Sequence, residues 1–112
     1  MTEFLPRLRD ALAELAAERR TTTYKELAAR VRVPPPHTIH KLTLALEELI
    51  REDAAAGRPL LAALAISRAP AGLPGRGFFL LAEELGLYTG SHDGPDARAF
   101  HDTELARIFV AK

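Results

Sequence analysis

Apolar residues recur every three to four positions at the start of the chain. Phe4, Leu5, Leu8, Leu12, Leu15 and Ala16 form one stripe, which predicts a helix from about Thr2 to Arg20. Thr2 is placed to cap it, and Glu3 suits the positive helix start. Thr21-Thr22-Thr23 is β-branched and short, the size of a small strand. Thr23-Tyr24-Lys25-Glu26 then has the Ser/Thr-x-x-Glu form of a capping box, and Leu27, Ala28, Ala29 and Val31 supply a short apolar helix behind it. Pro34-Pro35-Pro36 ends that helix and puts Pro36 at the first position of the next, which runs to Ala56 and stops at Gly57.

At about 100° per residue, this third helix has two faces. Ile39, Leu42, Leu46, Leu49 and Ile50 share the side expected to meet the core, while His37, His40, Lys41, Leu44, Glu48 and Arg51 share the other. Leu44 is out of place among polar neighbours, so it meets neighbouring chain, a protein partner or a thymine methyl. Residues 59–67 form an unbroken apolar run between prolines, the length of a buried strand. Residues 71–77, Ala-Gly-Leu-Pro-Gly-Arg-Gly, read as a turn-rich wing. Phe78, Leu81 and Leu85 then mark a helix that stops at Gly86, and a last helix starts at Asp96 or Asp102 and ends near Val110. The expected fold is α+β: a mostly helical winged helix-turn-helix with a small β-sheet and two C-terminal covering helices, in one domain over residues 1–112.

Charge sharpens this picture more than composition does. The net charge is zero, yet residues 19–76 carry +5 while the two flanks carry the compensating acids. A basic middle that coincides with a helix-turn-helix and a wing suits a DNA phosphate backbone. On that reading His37, His40 and Lys41 enter the groove, and Arg30, Arg32, Arg68 and Arg76 hold phosphates. The alternative is a protein-interaction module or homodimer that uses Leu44 and Glu48, since Glu47, Glu48, Glu52 and Asp53 on the same helix repel phosphate. No apolar run approaches the ~20 residues that span a bilayer, and a cytoplasmic location is expected.

Catalytic chemistry has no foothold in these residues. Cysteine is absent, which excludes thiol nucleophiles, disulfides and Cys-ligated metals. His37 and His40 are three apart on a helix, but His92 and His101 lie far downstream, so all four are expected at the surface and no metal site is indicated. Ser67 and Ser91 sit in no nucleophile elbow. Gly75-Arg76-Gly77 before a helix could offer amides to a phosphate, but it is neither a Walker A loop nor a dinucleotide fingerprint. No cofactor and no small-molecule ligand is expected.

The run Thr23-Tyr24-Lys25-Glu26-Leu27-Ala28-Ala29-Arg30 resembles the start of the helix-turn-helix in alkylguanine-DNA alkyltransferases and alkyltransferase-like proteins, whose motif is Thr-Tyr-x-Glu-Leu-Ala. The resemblance covers roughly residues 20–86. It implies a winged helix that binds DNA, with His40 in the place of the family's base-displacing arginine and Lys41-Leu42-Thr43 in the place of Ala-Val-Gly. Ala63 stands where the acceptor cysteine would be, so alkyl transfer is excluded, and a lesion-sensing role is the most that the resemblance implies.

Overall fold

The computed structural model describes residues 4–68 and 72–110. Five α-helices, one 3₁₀ turn and two very short strands make up the described chain: α1 (Leu5–Ala17), β1 (Thr22–Thr23), α2 (Tyr24–Arg30), α3 (Thr38–Ala56), the 3₁₀ turn (Leu61–Leu64), β2 (Ala65–Ile66), α4 (Arg76–Glu84) and α5 (Gly94–Val110). The fold is mostly helical with a small sheet, so the α+β expectation stands. The proposed cap at Thr2 lies outside the described residues, as does the start of the predicted wing at Ala71.

The two strands pair in parallel, Thr22 with Ala65 and Thr23 with Ile66. Everything between them, α2, α3 and the 3₁₀ turn, is therefore the crossover. Local chemistry sets where α2 begins: the Thr23 hydroxyl accepts from the Glu26 amide at 3.1 Å, and the Glu26 carboxylate accepts from the Thr23 amide at 3.4 Å. Both halves of the capping box are formed, satisfying two amides that a helix start leaves bare.

Leu8, Leu12 and Leu15 from α1, Leu27 from α2, and Leu42, Leu49 and Ile50 from α3 are almost fully buried in one core. Phe79 of α4 closes it, stacked edge-on against Phe78 at 5.2 Å and tilted against Tyr88 at 5.5 Å. The sequence stripes on α1 and α3 are thus the buried faces, with one exception. Ile39, expected on the core face, is 44% exposed because it lines the open concavity between α2 and the first turn of α3.

Three further expectations change. Pro36 is not the first residue of α3; the helix begins at Thr38, after His37 in left-handed conformation (φ 59°). The apolar run 59–67 is not a continuous strand. Residues 61–64 coil into a 3₁₀ turn and only Ala65 and Ile66 extend, since small alanines let the backbone coil where β-branched residues would resist. Finally, α5 starts at Gly94, ahead of both predicted starts.

Buried polar groups stitch the C-terminal helix to the crossover. Glu104, 4% exposed, accepts from the Leu60 amide at 3.0 Å and pairs with Arg107 at 2.9 Å. His101 is 1% exposed, its Nε2 at 2.9 Å from the Ala63 carbonyl, which corrects the expectation of a surface histidine. Asp53 on α3 is fully buried and collects Arg9 at 3.2 Å, Arg58 at 3.0 Å and the Leu61 amide at 3.2 Å.

Candidate nucleic-acid interface

Four helices end in the same way, with two backbone bonds that wrap the last turn around a residue at positive φ. In α3 and α4 that residue is glycine, Gly57 (φ 72°) and Gly86 (φ 77°). In α1 and α2 it is arginine, Arg19 and Arg32, each at φ 57°. A left-handed arginine is disfavoured by roughly 1–2 kcal/mol relative to a right-handed one. The cation at a negative helix end offsets part of that cost.

Arg32 and His37 bracket the proline segment between α2 and α3, both at positive φ and both exposed. His40 follows on the exposed side of α3. Beside them, Lys25, Ala28, Ala29 and Val33 face Thr38 and Ile39 across a concavity of about 450 Å³ between the two helices. Lys25 is thereby brought to the start of α3, a placement the sequence hides because Lys25 is only the third residue of the capping box.

The other predicted cations divide. Lys41 donates from Nζ to the Pro34 carbonyl at 3.0 Å, tying down the proline segment. Arg30 pairs with Glu14 of α1 at 2.6 Å. Both have jobs inside the fold. Arg68 is exposed at the edge of the described residues, and Arg76 is the exposed first residue of α4. No ion pair with a described residue engages Lys25, Arg32, Arg68 or Arg76.

The loop before α4 is anchored from α2. The Gly75 amide donates to the Tyr24 hydroxyl at 2.6 Å, and burial pushes the Tyr24 phenol above its ordinary value, so it stays protonated. This contact sets the Arg76 end of α4 against the start of α2. The same helix start faces an acid, however: a Cβ added at Gly77 would sit 3.8 Å from the Glu47 carboxylate. An anion at the 75–77 amides would meet that charge, which disfavours the free-phosphate use of this loop.

Leu44 is 49% exposed, so neighbouring chain does not bury it, and Glu48 is exposed one turn further along α3. The four histidines do not converge. His92 pairs with Glu83 at 2.9 Å, His101 is buried against Ala63, and among the described residues no group of three or more His, Asp or Glu could hold a metal ion. Ser91 bonds to Asp93 at 3.0 Å and not to a histidine, so it has no base to activate it. No helix among the described residues is long and apolar enough to cross a membrane. Comparisons with protein-family models, with curated proteins and with solved structures found no match for this chain.

Proposed function

We propose that this chain binds DNA in a regulatory, non-catalytic role, with α2 and α3 as a helix-turn-helix and the Gly/Pro-rich stretch leading into α4 as a wing. The reading rests on one observation above the rest: exposed cations with no ion pair to a described residue come from α2, from the α2–α3 connection and from the start of α4. Lys25 of α2 faces Thr38 and Ile39 at the start of α3, Arg32 and His37 bracket the proline segment, His40 is exposed on the first turn of α3, and Arg76 begins α4 after the Gly75 contact with Tyr24. Lys25, Arg32 and Arg76 are suited to phosphates, and His40 to a base edge. Lys41 acts at one remove, by holding the proline segment against the helix start.

Titration of a labelled duplex across a salt series tests this. Binding is expected to weaken steeply with salt, and Arg32→Gly and Arg76→Ala should each lower the slope by about 1. Absence of binding at low salt would overturn the reading.

A second reading is favoured by the exposure of Leu44 (49%) on α3, with Glu48 exposed one turn further along: this face docks on a protein partner or a second copy of the chain. Leu44→Lys separates the two. It should strengthen non-specific DNA binding on the first reading, and break a dimer seen by size-exclusion chromatography on the second.

A further inference from the structure

At the far end of α3 from the helix-turn-helix lies a cleft of about 540 Å³, between the second half of α1, the segment after α3 and the end of α5. It shares no residue with α2 or with the first half of α3. Its walls are apolar: Ala13 and Ala16 of α1, Leu61, Ile108 and Phe109. The alanines leave the space, because any longer side chain at those positions would project into it. This volume and lining are those of a site for a small ligand.

Its charges are uneven. Arg9, Arg19 and Arg58 line the cleft, and only Asp53 among the lining residues opposes them. Asp53 accepts from both Arg9 and Arg58, while Glu52 at 2.8 Å takes the other end of Arg9. Two carboxylates therefore neutralise two guanidinium groups, and among the described residues none pairs with Arg19. Arg19 makes no ion pair and no side-chain hydrogen bond with any described residue.

Arg19 is also the residue held at positive φ where α3 and α4 use glycine. A disfavoured backbone conformation retained in the lining of this cleft points to a role for that side chain beyond ending a helix. We propose that the cleft is a binding site for a small carboxylic acid with an apolar body, its single negative charge held by Arg19 and its body lying on Ala13, Leu61 and Phe109. One cation unmatched among the described residues fits a monoanion better than a doubly charged phosphate, and the apolar walls exclude a small hydrophilic anion.

Octanoate is the probe, with octanol as its uncharged counterpart, and calorimetric titration the measurement. Wild-type protein should bind octanoate saturably at one site, and octanol at least about tenfold more weakly. Arg19→Gly should lower octanoate affinity by about tenfold while leaving thermal stability unchanged or raised, since glycine suits that backbone. Arg32→Gly makes the same exchange at the end of α2 and should leave octanoate binding as it is. Ala13→Leu, at an exposed position, should block the cleft without disturbing the core. The proposal is overturned by octanoate that fails to bind saturably, by octanol that binds equally well, or by Arg19→Gly and Arg32→Gly variants that behave alike.

Discussion

The Nε2 of His101 and the carbonyl of Ala63 sit 2.9 Å apart across 38 residues of sequence, and the other ring nitrogen, Nδ1, is buried with no partner. The contact fixes the tautomer: Nε2 carries the proton and donates, and Nδ1 keeps its lone pair. Burial lowers the His101 pKa, so the ring is neutral in the folded chain, against an ordinary value of about 6.5 when unfolded.

The sign of the pH effect follows. Below about pH 6.5 the unfolded chain takes up a proton that the folded chain refuses, and stability falls. The His101 contribution is intact above that pH and is lost as pH drops towards the lowered folded value, with a slope of at most about 1.4 kcal/mol per pH unit. Urea unfolding between pH 5 and 7 should show this loss. In His101→Gln the midpoint should be nearly flat over the same window, at a lower absolute stability.

Tyr24→Phe removes one oxygen and leaves the packing. The Gly75 amide then loses its acceptor, at a cost of about 1 kcal/mol. Hydrogen exchange at Gly75 and Arg76 should quicken, with α2 unaffected because its capping box is made by Thr23 and Glu26. Unchanged exchange would mean that the loop is held by Leu73, whose carbonyl accepts from the Ser67 amide at 2.9 Å.

Asp53→Ala strips a fully buried carboxylate from three donors. Arg9 and Arg58 can turn to water, but the Leu61 amide has less access. A loss of about 3 kcal/mol is expected by chemical denaturation. Asp53→Asn, which can still accept from Leu61, should lose less. Equal losses would show that the charge and not the amide contact is what matters.

Gly90→Ala should also destabilise. Gly90 has φ 143°, and an added Cβ would lie 2.9 Å from the Tyr88 hydroxyl and 3.1 Å from the Asp96 side chain. The turn would have to open and pull Tyr88 from its contact with the Ser91 carbonyl. A cost of about 1–3 kcal/mol follows, visible as a lower thermal midpoint.

Elements governed by their own residues were legible in the sequence. Thr23 and Glu26 define the start of α2 whatever surrounds them, and glycine at 57 and 86 marks the ends of α3 and α4 because few other residues accept that backbone. The run 60–67 lacked any period to separate strand from helix, and tertiary pressure from α1, α3 and α5 decided its coiled form. His101 gave no local sign of burial, since its partner is a carbonyl 38 residues away. Ile39 obeys the helical periodicity, but it opens onto the concavity between α2 and α3, which only the packing of the two helices creates. For the candidate site, the cations near the capping box and the proline segment were visible as charges, while the engagement of Lys41 by Pro34 and of Arg30 by Glu14 needed three-dimensional neighbours. The cleft drew Arg9, Arg19 and Arg58 from separate segments, so no local pattern announced it.

The parallel pairing of Thr22 with Ala65 and Thr23 with Ile66 has a consequence for how the surface can diversify. Adjacent strands lie about 4.8 Å apart, so the α2–α3 excursion leaves and returns at nearly one point, cinched by main-chain bonds that are indifferent to side-chain identity. Residues on the outer side of that excursion can be exchanged without altering the hinge on which it hangs, while α1, α4 and α5 keep the base in place. The architecture thus separates what is presented from what presents it, and new binding preferences could be selected on α3 with little penalty to folding.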